Sequence, residues 1–408
     1  MSLRQVIEQE TRERGPIPFS RYMELCLYHP ELGYYSRHAE QFGKAGDFYT
    51  SSDVHAVFGR LLARQFEEIW RVLGSPQRIE ILELGPGRGL FAQDVLDWSE
   101  KKFPDFFHAL HYSLTESSSA LRQRLQSTLR KQLAEGRASL MPRSTTPSES
   151  GKDTLEESLG KGTTSVVPKR PRLERALAAG VRSAPVIIFA NEFFDALPVE
   201  VLSSQGALRI SAEKGRFVET WARPTSEEMH FLDRYSVHPE PDERIEVPLI
   251  AQQSMTRIAS EIDRGIFIAI DYGYTRQEQL AGRHRGTLTA LRQHSVSPNP
   301  YEAPGEQDIT AHVNFTALAA AAEQNGMHVH PLLTQSQFLM GIGEANQFAD
   351  AFEECGLPQE RAKVALQLKH LVTPAGMGEN FHMLLAAKGV DAKDLAGLSG
   401  LSFATSKR

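Results

Sequence analysis

Residues 83–89 read Glu83-Leu84-Gly85-Pro86-Gly87-Arg88-Gly89 and continue a mostly apolar segment, Ile79–Leu84, that is typical of a buried strand. The glycines let the backbone turn tightly and approach a ligand, and a following helix offers free N–H groups. A dinucleotide fingerprint, G-x-G-x-x-G, would need its third glycine at position 90, which is leucine. The spacing therefore predicts a ligand-binding turn of another kind, and a strained turn without a ligand is the alternative.

The rest of the chain repeats the strand pattern, and amphipathic helix patterns separate the strands. This alternation predicts an α/β fold with a mostly parallel sheet, because parallel strands are buried on both faces and apolar throughout. Residues 118–134 form the predicted crossover helix after the second strand. The predicted strands are Ile79–Leu84, Leu110–Glu116, Ala138–Met141, Val186–Asn191, Ile266–Asp271 and Phe381–Ala387.

The N-terminal part of the chain differs from this pattern and is mostly helical. Helices are predicted over residues 2–13, 19–28 and 54–73. Between the second and third of them, residues 33–52 are rich in glycine, aromatic and hydroxyl side chains. Such a composition favours an ordered loop over a linker.

Two insertions interrupt the alternating pattern. Residues 142–170 are poor in large apolar side chains and dense in Ser, Thr, Gly, Pro and Lys, which predicts a disordered surface segment. Residues 197–248 hold short alternating runs separated by glycine turns, which predicts an antiparallel β lobe that could face a substrate. The chain is thereby divided into a helical extension with a lid loop (1–75), a first core part (76–196), the β lobe (197–248), a second core part with helical insertions (249–390) and a C-terminal tail (391–408).

The composition excludes several classes of protein. A net charge of −6 over 408 residues argues against broad nucleic-acid binding, which needs clustered Lys and Arg in surplus. The two cysteines, Cys26 and Cys355, cannot build a disulfide framework or a four-cysteine metal site, and no His, Asp or Glu cluster has metal-ligand spacing. No stretch approaches the ~20 apolar residues of a membrane span, and no secretory or transit-peptide pattern is present, so we expect a cytoplasmic protein.

Polar residues stand at the ends of two further strands. Glu116 ends the second strand, where a carboxylate can accept ribose hydroxyls, although a surface glutamate before a helix is an equal alternative. The fourth strand ends in Asn191-Glu192-Phe193-Phe194-Asp195. Carboxylates pair naturally with a guanidinium in two-point geometry, so Glu192 and Asp195 could hold a cationic substrate group beside Asn191. The alternative is a polar cap with both phenylalanines in the core.

Two more stretches are candidates for the rim of a site. Asp271-Tyr272-Gly273-Tyr274 ends another core strand, and a plain turn explains it almost equally well. Gly46-Asp47-Phe48-Tyr49-Thr50-Ser51 could fold over a bound ligand, with its aromatic rings excluding water, or could be a packed turn before the next helix.

The sequence resembles the MidA-like class I methyltransferases, a family that includes the mitochondrial arginine methyltransferase of respiratory complex I assembly. The likeness covers roughly residues 15–388. The matching stretches are Gly15-Pro16-Ile17 with Phe19, Tyr28-His29-Pro30-Glu31-Leu32-Gly33-Tyr34-Tyr35, the runs at 46–51, 83–89, 190–198 and 271–274, Pro304-Gly305-Glu306-Gln307-Asp308-Ile309-Thr310-Ala311-His312, Thr334-Gln335 with Phe338-Leu339, and Met377-Gly378-Glu379-Asn380-Phe381.

The resemblance implies a Rossmann-like α/β core with a mostly parallel seven-stranded sheet, an N-terminal helical extension and an inserted antiparallel β substrate lobe. It also implies S-adenosyl-L-methionine as cofactor. The residues that would bind this cofactor are Glu83, Gly85, Gly87, Gly89 and Glu116, with Asp47, Tyr49 and Thr50 in the lid. The residues that would line the methyl-transfer site are Asn191, Glu192 and Asp195.

The resemblance further implies a protein substrate methylated on arginine, for which a respiratory complex subunit is the family's example. The chain looks like a bacterial member, whereas a eukaryotic member would lie in the mitochondrial matrix. Two other hypotheses stay open from the residues alone: a small-molecule methyltransferase on the same fold, and a non-catalytic assembly protein that keeps the pocket. No feature of the sequence indicates an oligomeric state.

Overall fold

The computed structural model describes residues 1–37, 56–142, 184–292, 295–297 and 299–405. The described strands are β1 (Ile17–Pro18), β2 (Ile79–Leu84), β3 (Leu110–Thr115), β4 (Ala138–Leu140), β5 (Val186–Asn191), β6 (Glu200–Ser203), β7 (Gly206–Glu213), β8 (Arg216–Ala222), β9 (Ile245–Val247), β10 (Gly265–Tyr274), β11 (Thr289–Arg292), β12 (Ser295–Ser297), β13 (Asp308–Thr310), β14 (Val313–Asn314), β15 (His328–Val329), β16 (Leu333–Thr334) and β17 (Phe381–Lys388).

Helices fill the segments between these strands. The described α-helices are α1 (Leu3–Arg14), α2 (Phe19–Tyr28), α3 (Tyr34–Arg37), α4 (Ala56–Val72), α5 (Leu90–Lys102), α6 (Pro104–Ala109), α7 (Ser119–Thr128), α8 (Arg130–Ala134), α9 (Ser226–Tyr235), α10 (Leu249–Glu261), α11 (Arg276–Leu280), α12 (Phe315–Gln324), α13 (Gln335–Glu344), α14 (Ala349–Phe352), α15 (Pro358–Val372), α16 (Ala392–Leu395) and α17 (Ser402–Thr405). None of them is long and apolar enough to cross a membrane.

The central sheet follows the order β15-β17-β10-β5-β2-β3-β4, and β14 and β16 pair with β10 and β17 beside this path. The neighbours from β10 to β4 are parallel, whereas β17 runs antiparallel to β10 and β15. The predicted α/β fold and mostly parallel sheet are therefore confirmed. An antiparallel strand inside the sheet departs from the dinucleotide-binding order, in agreement with the glycine spacing.

The predicted core strands are also confirmed, with small shifts at their ends. The second strand stops at Thr115, so Glu116 follows it directly, and β10 extends to Tyr274. β2 is buried along its whole length, including its two glutamates. These accept hydrogen bonds from hydroxyl groups of β3: Ser113 donates to Glu80, and Tyr112 donates to Glu83. The inserted segment 142–170 lies outside the described residues.

Aromatic rings anchor helices α4 and α5 to one face of the sheet. Phe91 of α5 stacks on Phe189 of β5 with ring centroids 4.6 Å apart, and Phe66 of α4 meets Phe189 edge to face. Helices α10 and α12 cover the other face. Burial on both sides fixes the strand register, and with it the positions where the strands end.

The inserted lobe is antiparallel, as predicted, in the order β1-β7-β6-β9 with β8 beside β7. Two features were missed: α9 lies inside the lobe, and the N-terminal β1 pairs with β7, Ile17 opposite Ile210. The first two helices share a hydrophobic cluster with the lobe through residues such as Phe19 and Leu208. The five-part division of the chain stays a prediction.

We predict that Gly265→Ala lowers the free energy of unfolding by about 1–3 kcal/mol, because its Cβ would overlap a backbone atom of the neighbouring strand. A Cβ at Gly265 would lie 2.1 Å from the carbonyl oxygen of Val186. Urea unfolding measures the change. Gly356→Ala is the control, because its nearest contact would be a carboxylate oxygen at 3.8 Å. Equal stability of both variants would contradict the close approach of β10 to β5 at this position.

Candidate active site

The site forms where four parallel strands end at one edge of the sheet. Leu84 lies opposite Thr115 of β3 and Ala190 of β5, and Ile270 of β10 lies opposite Asn191. The residues that follow these positions therefore meet at the carboxyl edge, where ligands bind in open α/β sheets.

The glycine turn opens this edge to a ligand. Gly85 and Gly87 have φ of 66° and 54°, the left-handed region that favours glycine. A Cβ at Gly85 would lie 3.0 Å from Cδ2 of Phe193, whereas a Cβ at Gly87 would meet no described atom within 4 Å. The glycine turn therefore packs against Phe193 of the 191–195 segment at Gly85. At Gly87 the position of a side chain is empty among the described residues. Gly89 begins α5 without a side-chain cap.

Two carboxylates flank the turn. The hydroxyl of Tyr112 donates to Glu83 Oε2 at 2.9 Å, and burial raises the pKa of Glu83 to about 8, with a smaller contribution from the charge of Glu116. Glu116 Oε1 accepts the backbone N–H of Ser118 at 2.8 Å. Burial raises the pKa of Glu116, and N–H groups that include that of Gly87 oppose the shift.

Asp271 organises the segment that follows β5. Its Oδ2 accepts the backbone N–H groups of Phe193 at 3.2 Å, Phe194 at 3.0 Å and Asp195 at 3.4 Å. The preceding residue, Glu192, has a left-handed φ of 48°, which turns the chain back toward this carboxylate. Burial raises the pKa of Asp271 well above its usual range, and the charges of Asp195 and Glu192 add to the shift.

This turn contains two buried acceptors for which the described part of the chain supplies no donor. The hydroxyl of Tyr272 donates to Asp195 Oδ2, and Asn191 Nδ2 donates to Glu192 Oε1 at 3.1 Å. The remaining oxygens, Asn191 Oδ1 and Asp195 Oδ1, are buried without a hydrogen-bond partner among the described residues. Burial raises the pKa of Asp195 to about 6. Buried unpaired acceptors are costly, so the turn is built to receive hydrogen-bond donors.

The N-terminal extension lies across the same edge. Tyr28 donates its hydroxyl to the carbonyl of Ala196 at 2.8 Å, and Tyr35 donates to Asp308 Oδ1 at 3.0 Å. The hydroxyl of Ser118, two residues after Glu116, donates to the carbonyl of Tyr35 at 2.6 Å. The extension therefore touches both the Glu116 end and the Asp195 end of the edge.

The carboxyl edge gathers most of the residues predicted from sequence: Glu83, Gly85, Gly87, Gly89, Glu116, Asn191, Glu192 and Asp195. Asp47, Tyr49 and Thr50 lie outside the described residues. Asp271 and Tyr272 were predicted only to lie at the rim, and their contacts to the 193–195 segment were missed. No group of three or more potential metal ligands occurs in the described parts of the chain.

A separate cavity of about 590 Å³ lies between the inserted lobe and the sheet. Tyr235 at the end of α9 and the α12 residues Thr316, Ala319 and Glu323 line it, together with Arg276. The side chain of Arg276 donates to the backbone carbonyls of residues 233 and 236, so it braces the lobe.

Comparison with known proteins identifies the class. The chain belongs to the family of S-adenosyl-L-methionine-dependent methyltransferases, whose model matches residues 61–333. A protein from Burkholderia thailandensis, crystallised with S-adenosyl-homocysteine, is similar in structure with a TM-score of 0.75 and 25% identity, covering 98% of this chain and 94% of that one. The chain is an S-adenosylmethionine-dependent methyltransferase.

Three curated relatives are similar to this chain over most of its length. A Drosophila melanogaster protein named "Protein arginine methyltransferase NDUFAF7 homolog, mitochondrial" is 29% identical over 416 residues, which cover 97% of this chain and 86% of that protein. The Danio rerio protein arginine methyltransferase NDUFAF7 is 28% identical over 90% of this chain and 82% of its own length. The human protein is 25% identical over 91% and 80%.

We predict that Glu83→Gln stabilises the ligand-free protein at alkaline pH. Folded Glu83 keeps its proton up to a pKa of about 8, whereas the unfolded chain releases it near 4.5, so this group lowers stability as pH rises through that window. The amide removes this pH dependence. We expect equal melting temperatures near pH 5 and a gain of at least about 2 °C near pH 9.

Thermal denaturation between pH 5 and pH 9 measures this difference. The matched control is Glu135→Gln, which changes an exposed carboxylate after α8 and should leave the pH dependence as it is. A constant offset between Glu83→Gln and the parent at every pH would show that the carboxyl is not held in its protonated form.

Proposed function

We propose that this chain is a protein arginine N-methyltransferase whose reaction centre is the 191–195 turn. The proposal is carried by two buried oxygens, Asn191 Oδ1 and Asp195 Oδ1, which have no donor among the described residues and lie beside the carboxylate of Glu192. A guanidinium has five N–H donors and no acceptor, which complements such a set of oxygens. The arginine methyltransferase relatives support the same substrate class.

The residues of the glycine turn fit the cofactor. Gly87 leaves open space at the backbone, which a side chain would fill. Glu116 offers carboxylate oxygens that suit ribose hydroxyls, and Glu83 offers a buried carboxyl whose ionised form a nearby cation would favour. We assign cofactor binding to Glu83, Gly85, Gly87, Gly89 and Glu116, and we extend the assignment to Asp47, Tyr49 and Thr50 as a cover.

S-adenosylmethionine, when bound, supplies a methyl group on a positively charged sulfur. The protein must align a substrate nitrogen with this methyl and take the proton that the nitrogen loses as its bond to carbon forms. We assign proton acceptance to Asp195 through its free Oδ1. Asn191 and Glu192 accept hydrogen bonds from the other N–H groups and so fix the orientation of the guanidinium plane. Because the pKa of Asp195 is about 6, the carboxylate is ionised and ready to accept at neutral pH.

The protein that carries the target arginine is a further part of the proposal. The resemblance suggests a respiratory complex subunit, and the inserted strands β6 to β9 offer a surface that a folded or extended polypeptide could contact. A cytoplasmic location in a bacterial cell belongs to the same proposal, while the relatives named above are mitochondrial proteins.

We predict that Asp195→Asn binds S-adenosylmethionine as the parent does but transfers methyl groups at least about 100-fold more slowly, because an amide cannot take the proton. The assay incubates the protein with tritiated-methyl S-adenosylmethionine and cell lysate, hydrolyses the labelled protein and separates the amino acids. Calorimetry measures cofactor affinity.

Asp263→Asn is the control for this experiment, because Asp263 is exposed before β10, at the opposite end of the sheet. It should leave both transfer and cofactor affinity unchanged. Label in methylarginine, lost in Asp195→Asn alone, supports the proposal. Label in lysine, in a carboxyl ester or in small molecules would overturn the arginine assignment, and full turnover by Asp195→Asn would overturn the role of Asp195.

A further inference from the structure

We propose that Tyr272 is a positioning residue for methyl transfer: its hydroxyl holds Asp195 in the ionised form and directs the free Oδ1 of that carboxylate toward the substrate. The inference rests on the proposed role of Asp195 as proton acceptor. The phenol donates to Asp195 Oδ2, so the second oxygen is the one left buried without a donor in the described parts of the chain.

The phenol is held in place by the rings around it. The ring of Tyr272 meets His312 edge to face at 5.2 Å between centroids and meets Phe381 edge to face at 5.5 Å. Tyr272 and Phe381 are also register partners of the antiparallel strands β10 and β17. Because the ring is packed on two sides and its backbone is inside the sheet, the hydroxyl has a fixed direction.

Two hydrogen bonds with the end of β10 fix Asp195. Asp271 holds the backbone of Asp195 through the N–H group at 3.4 Å, and Tyr272, the next residue, holds its side chain. One rigid strand therefore sets both the position and the rotamer of the proposed acceptor. Such a support differs from ordinary packing, because it acts on the reacting group through a hydrogen bond.

The phenol is suited to be a permanent donor. Burial, together with the charges of Asp195 and Asp271, raises the pKa of Tyr272 well above its usual range, so its proton stays in place throughout neutral and mildly alkaline pH. Burial raises the pKa of Asp195, and the hydrogen bond from Tyr272 is the largest opposing contribution. Removal of the hydroxyl therefore raises the pKa of Asp195 further.

The backbone N–H groups of Ala196 and Asp195 also favour the ionised form of Asp195, with smaller effects than the hydroxyl of Tyr272, and the other side chains around Asp195 do not. Asp271 and Glu192 are acidic and disfavour a further negative charge, and Tyr35 faces Asp195 from α3 with a phenol whose pKa is itself raised by burial. Behind Tyr272, His312 Nδ1 lies 3.2 Å from His284 Nδ1, and burial lowers the pKa of His312 to about 4. No Lys or Arg in the described ranges forms an ion pair with Asp195.

The test compares the pH dependence of kcat for the parent, Tyr272→Phe and Tyr274→Phe in the labelled-methyl assay between pH 5.5 and pH 9.5. Tyr274 is the matched control: it lies two residues further along β10, is buried, and stacks on His284 at 5.5 Å. We expect Tyr272→Phe to move the acid limb up from near pH 6 by about one pH unit, which lowers kcat about twofold near pH 7 and about eightfold at pH 5.5. Activity returns toward that of the parent at pH 9.

Cofactor affinity and the melting temperature identify variants that fail for other reasons. Tyr272→Phe should bind S-adenosylmethionine within twofold of the parent, and Tyr274→Phe should keep the parent's pH profile. An equal loss of kcat at every pH, or an unshifted acid limb, would overturn the inference and leave the proposed function in place. Full turnover by Asp195→Asn would instead remove the proposed role on which the inference rests.

A second variant keeps the test decisive if Tyr272→Phe does not fold. Tyr272→3-fluorotyrosine retains the size of the ring and makes the hydroxyl a stronger donor, so the acid limb should move to lower pH, opposite to the effect of phenylalanine. An acid limb at the parent's position would contradict the inference.

Discussion

One carboxylate oxygen, Asp271 Oδ2, accepts three successive backbone N–H groups, those of Phe193, Phe194 and Asp195. Successive peptide N–H groups favour a carboxyl oxygen placed between them, and here that oxygen belongs to the protein itself. The contact ties the end of β10 to the segment after β5. Without it the positive φ of Glu192 has no compensation, and the acceptors of the turn have no fixed direction.

The two ends of the site are joined through the same turn. Phe193 packs against the backbone of Gly85, so the glycine turn and the 191–195 segment cannot move independently. Both ends also hold carboxyl groups at a cost: burial raises the pKa of Glu83 to about 8 and that of Asp195 to about 6. Cationic ligands would offset this cost. A site that lowers the stability of the ligand-free protein can therefore still bind its ligands tightly.

The sequence was sufficient for the sheet and for the residues at its edge, because parallel strands end together and their polar termini follow apolar runs. It could not predict the contacts of Asp271 and Tyr272, since these join residues 76 to 78 positions apart and depend on the register of β10 against β5. The sequence analysis also missed α9, because the short apolar runs around it predict strands. Thr225 and Glu228 form a capping box, which was the local signal for this helix. The pairing of β1 with the lobe has no local signal.

The most direct test of a site built on this carboxyl edge is a crystal structure of the protein with S-adenosyl-homocysteine. We predict that the ribose lies within hydrogen-bond distance of Glu116, beside Gly87, and that the sulfur faces Oδ1 of Asp195. A ligand found instead in the cavity between α9 and α12, or one whose sulfur points away from the 191–195 turn, would contradict the assignment of the site.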